Sequence, residues 1–206
     1  MSPGLLGLEE PREGRVALID LLARVVRARI VYYGPAFGGK TTNLRKIEAR
    51  VSQSARGDLA SLAGDDDRTL FLDDLALDLG DVGGWRVRVD LSSVPGQPRF
   101  ARTRVAVLQG ADGVVFVADS APARQEANIE SFIELGRNLA AAGHDPARFP
   151  LVLQANKRDV PDPVPLGELR RALGATDRPL VSSVATDGEG VFEALRAACK
   201  LVAAAL

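Results

Sequence analysis

Cysteine, histidine, methionine and tryptophan each occur once in the 206 residues, and aromatic residues make up only 5% of the chain. One cysteine, Cys199, allows no internal disulfide and no site built from several thiolates, so a reducing cytoplasm is the expected compartment. The lone histidine, His144, follows Gly143 at an expected helix end and reads as a dipole partner or plain surface rather than a metal ligand. Charge of one sign is also missing: 26 Lys and Arg against 27 Asp and Glu leave a formal net charge of -1. A basic footprint for nucleic acid is therefore absent. The longest compact apolar run, at 113–118, falls far short of the ~20 residues of a membrane helix and reads as a buried strand. The first residues carry acids where a secretory signal needs a basic start and an apolar core. Cys199 lies too far from the C-terminus for prenylation, and Ser2 replaces the glycine that myristoylation requires, so no direct membrane anchor is expected. What remains, 46% apolar and 26% charged, is the composition of a single soluble globular domain.

Residues 1–15 have two Pro and three Gly and little periodicity, which predicts a loose N-terminal extension, dispensable for folding, ahead of one domain over 16–206. A short added strand or helix is expected at 16–23. Further on, β-branched and apolar runs near 26–33, 69–79, 85–91, 113–119, 150–156 and 180–184 predict strands. Helical patterns near 40–54, 99–109, 124–142, 165–173 and 190–206 fill most of the gaps. Such alternation predicts an α/β domain with a mostly parallel six-stranded sheet and helices on both faces, which the glycine-rich motif described next assigns to the P-loop NTPase class. One connection, the glycine-rich 80–84, has no room for a helix, so strands two and three are expected to form an antiparallel hairpin.

Gly34-Pro35-Ala36-Phe37-Gly38-Gly39-Lys40-Thr41 matches G-x-x-x-x-G-K-[ST] between an expected strand and an expected helix. Glycines let the backbone curl its N–H groups toward phosphate oxygens, and the helix start adds the positive end of its dipole. Lys40 is then expected to reach the β- and γ-phosphates, with Thr41 as a Mg²⁺ ligand and Thr42 beside it. The base is read from Asn156-Lys157-Arg158-Asp159, which fits N-K-x-D. A carboxylate at Asp159 accepts two N–H bonds from guanine, where adenine has no matching donors. Asn156 is expected to brace the loops, and the Lys157 stem to cover one ring face. Val184-Ala185-Thr186 would complete the pocket, the Ala185 N–H meeting guanine O6.

Ser93-Val94-Pro95-Gly96-Gln97 leaves the third strand where a γ-phosphate sensor belongs, with Gly96 offering its N–H and Gln97 orienting water. Upstream, the polar stretch 55–67 leads to Arg68-Thr69. Thr69 is a candidate to close on Mg²⁺, and Arg68 a candidate arginine finger supplied in cis.

Taken together with Ile30-Val31-Tyr32-Tyr33-Gly34-Pro35, Lys40-Thr41-Thr42-Asn43-Leu44, Arg68-Thr69-Leu70-Phe71 and the segment from Gly113 to Pro122, these motifs resemble the MglA-type branch of bacterial Ras-like small GTPases. The resemblance covers essentially 16–206. It implies a cytoplasmic GTP/GDP switch with Mg²⁺ that controls cell polarity or motility through effectors, recruited by partners to poles or membrane. It also implies a roadblock-domain activating partner that donates no arginine, so that Arg68 and Gln97 form the catalytic pair. The chain departs from this family at three places. Ser93 stands where Ras-like proteins carry Asp and MglA-type proteins Thr, so the Mg²⁺ site lacks a carboxylate. Ala36 replaces a glycine, and its Cβ is expected to crowd Gln97 and slow intrinsic hydrolysis. Leu72-Asp73-Asp74-Leu75-Ala76 lacks the aromatic and proline of the family's second strand. Two other readings stay open on the motifs alone: a guanine-nucleotide scaffold with little hydrolysis, and a P-loop small-molecule kinase.

Overall fold

The computed structural model describes residues 18–20, 22–50, 74–82, 84–95 and 101–205. The expected extension at 1–15, the polar stretch 55–67, and Arg68, Thr69, Gly96 and Gln97 lie outside the described residues. The elements in chain order are β1 (Leu18–Asp20), β2 (Val25–Tyr33), α1 (Lys40–Arg50), β3 (Asp74–Val82), β4 (Trp85–Ser93), α2 (Ala101–Gln109), β5 (Gly113–Asp119), α3 (Gln125–Ala141), β6 (Leu151–Asn156), α4 (Leu166–Ala172), β7 (Leu180–Ser182) and α5 (Val191–Ala205).

The sheet runs β3-β4-β2-β5-β6-β7, with β1 paired to β2. It therefore has seven strands where the sequence predicts six. The seventh is the short added strand: Leu18, Ile19 and Asp20 pair antiparallel with Arg27, Val26 and Val25. β4 flanks β2 from Val25 to Tyr32, while β5 reaches only Ile30 to Tyr33. The early part of β2 is thus free on one side for β1 to pair with. All other neighbours are parallel except β3 and β4.

Period-two alternation decides which side chains enter which half of the core. Val31 and Tyr33, Val114, Phe116 and Ala118, and Leu151, Leu153 and Ala155 face one layer, with Leu108 of α2, Leu135 and Leu139 of α3 and Leu169 of α4. Ile30 and Tyr32, Val115 and Val117, and Val152 face the other, with Leu44 and Ile47 of α1 and Ala194, Leu195 and Ala198 of α5. β5 is buried at every position because it lies mid-sheet with helices on both faces, which is why its sequence is continuously apolar instead of alternating. Each large side chain buried this way contributes roughly 1.5–3 kcal/mol. His144 closes one helix end: its Nε2 meets the Leu108 carbonyl at 2.8 Å and its ring tilts against Phe149.

The hairpin forms as expected, but its turn is tighter. β3 continues to Val82, which pairs with Trp85, and the register shifts between Asp78 and Asp81. Gly80, at φ +77°, is absorbed by this irregularity instead of by the turn, because the Asp78 carboxylate takes the Gly80 N–H at 2.9 Å. The same carboxylate receives Arg86 Nε at 2.8 Å and lies 3.6 Å from Arg88 Nε. The Arg86 hydrogen bond, followed by that of Gly80, holds the Asp78 carboxyl below its ordinary value. A lowered value in the folded chain means stability that is full above the unfolded value of about 3.9 and is lost as the carboxyl protonates. Asp78→Asn is expected to lower the melting temperature at neutral pH by an amount that stays constant down to about pH 4 and shrinks below it; thermal melts of both proteins across pH 3–7 check this.

Candidate functional site

β2, β4, β5, β6 and β7 run parallel, so the residues that follow their last positions gather along one edge of the sheet. Ligands collect at that edge in folds of this kind. The glycine-rich loop leaves β2 there under a tight constraint. A Cβ on Gly34, which has φ +143°, would lie 2.3 Å from the Val117 carbonyl oxygen of β5. Only glycine passes that point. Gly39, at φ +104°, is equally constrained, since its Cβ would lie 2.2 Å from Asn156 Nδ2. Between them the Gly38 N–H closes on the Pro35 carbonyl at 3.2 Å, and α1 begins at once with Lys40.

The loop's carbonyls are nearly all engaged. Lys40 Nζ donates to Gly34 O at 2.9 Å and to Pro35 O at 2.8 Å. Arg124 Nη2 takes Ala36 O at 2.8 Å and Asn156 Nδ2 takes Gly38 O at 2.8 Å. Gly39 O receives both the Asn43 N–H, at 3.0 Å, and its side-chain Nδ2, at 2.9 Å. Beneath them Gln154, wholly buried in β6, donates to Asn43 Oδ1 at 2.8 Å. With the carbonyls turned to these partners, and only the Gly38 N–H used inside the loop, the N–H groups of Ala36, Phe37 and Gly39 are left for an anion, as the helix dipole favours. That is the arrangement a nucleotide's phosphates fit.

The N-K-x-D segment meets this loop through Asn156. Its Oδ1 accepts the Ala185 N–H at 2.9 Å and the Ser183 hydroxyl at 3.2 Å, while its amide holds Gly38. The Ala185 N–H, expected to meet guanine O6, is thus directed at Asn156. Val184 and Ala185 are buried and Thr186 is exposed, on a turn closed by the Val184 N–H to Glu189 O at 3.0 Å. Lys157, at φ +62°, sends Nζ back to Asp119 Oδ2 at 2.7 Å. Asp159 is exposed two residues on. Ala36 is half-buried and Phe37, at φ +62°, is 85% exposed. Thr41 and Thr42 are half-buried in the first turn of α1, and Ser93 is buried at the end of β4.

Three contributors have no role that the motifs reveal. Asp119 ends an apolar strand within the segment from Gly113 to Pro122 that carries the resemblance, but nothing in that segment marks what its carboxylate does. Arg124 and Arg104 gave no signal. Arg104, 2% exposed on α2, donates to Pro95 O at 3.1 Å and pairs with Glu134 of α3. It thereby fastens the segment leaving β4, just before Gly96 and Gln97, to a helix. Asn138 of α3 joins the same region by donating to the Tyr33 hydroxyl at 2.9 Å. Among the described residues, no group of three or more His, Cys, Asp and Glu is placed to hold a metal ion, and no helix is long and apolar enough to cross a membrane.

No protein-family model matches the chain. Over 187 residues, 91% of this chain and 96% of the relative, it is 46% identical to the Mutual gliding-motility protein MglA of Myxococcus xanthus (strain DK1622).

Removing the Asn156 side chain would leave the buried Ala185 N–H and the Gly38 carbonyl without partners, at about 1–3 kcal/mol for each unmet group. Asn156→Ala is therefore expected to lose roughly 2–6 kcal/mol in chemical denaturation. Asp159→Ala, on an exposed position, is expected to change stability by less than about 0.5 kcal/mol.

Proposed function

The chain belongs to the MglA family of Ras-like small GTPases, and from that premise we propose how its residues bind and hydrolyse GTP. It is a GTP-hydrolysing switch, acting in gliding motility and cell polarity. The observation that carries the site assignment is Asn156, which bonds at once to the phosphate loop and to the segment expected to flank the base. The kinase and non-hydrolysing scaffold readings are not favoured at 46% identity to a motility switch.

In this reading the phosphates lie on the backbone N–H groups of Ala36, Phe37 and Gly39 and at the start of α1, Pro35 having no N–H and the Gly38 N–H closing the loop on Pro35 O. The Lys40 ammonium, which bonds to two carbonyls of the same loop, turns to the β- and γ-phosphates. Guanine sits against the Lys157 stem with its N1–H and N2–H donated to Asp159, and the Ala185 N–H is shared between Asn156 and O6. Thr41, Thr69 and Ser93 would hold Mg²⁺, which when bound neutralises charge on the phosphates. A hydroxyl set suits this ion, because Mg²⁺ keeps most of its waters and takes phosphate oxygens as partners. Gln97 orients the attacking water, Gly96 offers its N–H to the γ-phosphate, and Arg68 neutralises charge that builds up as the bond to the β–γ bridging oxygen breaks. Water and GTP give GDP and inorganic phosphate. We further propose that a roadblock-domain protein accelerates this step without contributing an arginine. Effectors would bind the GTP state, and the protein would work in the cytoplasm, with partners drawing it to a pole or membrane surface.

Guanine selectivity tests the base assignment. GTP and GDP are expected to displace a fluorescent guanine nucleotide far better than ATP, by a margin on the order of the 10⁴–10⁵ seen where a site hydrogen-bonds its substrate's polar groups. Asp159→Asn is expected to erode that margin, and equal competition by ATP would refute the guanine pocket.

The catalytic pair is tested by single-turnover hydrolysis. Arg68→Ala and Gln97→Leu are each expected to keep GTP binding and lose activated hydrolysis, the arginine variant by about 10³-fold. Normal activated turnover in Arg68→Ala would reduce that residue to a loop charge.

A further inference from the structure

We propose that Arg124 is a positioning residue for the phosphate loop, fixing the peptide between Ala36 and Phe37 so that the Phe37 N–H is presented to the nucleotide. The proposal rests on the guanine-nucleotide reading above and adds to it a residue that none of the motifs contains.

Arg124 ends a short 3-10 turn, Pro122–Arg124, immediately before α3. Its Nη2 crosses to the Ala36 carbonyl at 2.8 Å, a contact between residues 88 positions apart. The guanidinium also sits beside a buried carboxylate. Its Nε lies 3.9 Å from Asp119 Oδ2, and the Asp119 side chain is 2% exposed. Asp119 itself is held by Asn128, which accepts its N–H at 2.9 Å and donates to its carbonyl at 2.8 Å. Gln125 Nε2 braces the turn by reaching Asp119 O and Ala121 O at 3.3 and 3.2 Å.

The peptide that Arg124 holds needs an outside restraint. Phe37 sits at φ +62°, a left-handed conformation that L side chains with a Cβ rarely adopt. Its ring is 85% exposed, so packing does little to keep it there. The carbonyls of Gly34, Pro35, Gly38 and Gly39 are fixed by Lys40, Asn156 and Asn43, all parts of the binding motifs. Ala36 O is fixed by Arg124. In a planar trans peptide the C=O and N–H point in opposite directions. Anchoring Ala36 O on Arg124 therefore aims the Phe37 N–H away from that residue, leaving it available to a phosphate oxygen. Because Asp119 also holds Lys157 Nζ at 2.7 Å, one carboxylate anchors the cation beside the base and the cation behind the phosphate loop.

The Arg124 side chain is 36% exposed, so it can be cut back without opening the core. The test uses the full chain, wild type, Arg124→Ala and Arg124→Lys. Release of fluorescent GDP and of fluorescent IDP, which lacks the guanine 2-amino group, is followed in a chase with excess GDP, alongside the melting temperature of the nucleotide-free protein. Arg124→Ala is expected to release both nucleotides roughly 10-fold faster, as loss of a charged hydrogen bond implies. The ratio of the GDP and IDP rates should not change, and the melting temperature should stay within about 2 °C of wild type. Arg124→Lys, which keeps a cationic donor, is expected to fall between. Unchanged release would overturn the proposal. So would a change confined to the GDP/IDP ratio, which would place Arg124 on the base side through Lys157. Faster release matched by a lower melting temperature in both variants would also overturn it, as an ordinary structural role. A wild-type chain that does not bind GDP in preference to ADP would sink the functional reading as well, whereas a GDP-binding wild type with an indifferent Arg124→Ala sinks this proposal alone.

Discussion

The side chain of Asn156 is the interaction on which the rest of the site depends. Two loops that would otherwise be independent, one from the end of β2 and one following β7, meet on its single amide. Each loop contains backbone groups that are buried and point toward it, and a buried polar group without a partner costs more than an ordinary hydrogen bond contributes. An amide is suited to this place because it offers a donor to Gly38 O and an acceptor to Ala185 N and Ser183 Oγ at once. A carboxylate could serve only one of those sides. Gly39 is part of the same constraint, since the Asn156 amide occupies the space in which a Cβ would sit.

A second polar framework lies deeper. Gln154 breaks the apolar run of a strand that is buried along its whole length, which on pattern alone looks like a mismatch. Its amide supports Asn43, and Asn43 in turn holds Gly39 O, so the central sheet carries the start of α1 through hydrogen bonds as well as packing. Arg104 does comparable work on the opposite layer, where its ion pair with Glu134 is hidden from solvent at the arginine. Breaking such a pair from one side leaves an uncompensated buried charge. The departure of the chain from β4 toward Gln97 is therefore tied to α3 more firmly than a surface contact would allow.

The sequence discloses some of this better than the rest, for a physical reason. The phosphate loop and Asn156-Lys157-Arg158-Asp159 are contiguous strings whose chemistry comes from neighbours in the chain, so spacing reveals them. β5 was readable to the residue, from Gly113 to Asp119, because burial on both faces leaves an uninterrupted apolar run. Asp119 with Lys157, Asn43 with Gln154, and Ala36 with Arg124 lie 38, 111 and 88 residues apart. Only the sheet order brings them together, and no local pattern encodes it. The hairpin shows a subtler limit. Its glycines marked a turn correctly, but one of them, Gly80, serves a register shift that is stabilised by Asp78, and a glycine's tolerance of positive φ does not distinguish a bulge from a turn.

β1 is three residues long, yet it covers the portion of β2 that β5 does not reach. Without β1 the N–H and C=O groups of Val25 to Arg27 on that side would have no strand beside them, and an open stretch of this kind is a template onto which another chain can add a strand. A protein shortened to begin after Asp20 would keep every nucleotide-binding motif and still present such a sticky edge. Its tendency to stick to other chains would come from a segment that touches no part of the site, so where the chain is cut matters for keeping it from aggregating as well as for keeping it folded.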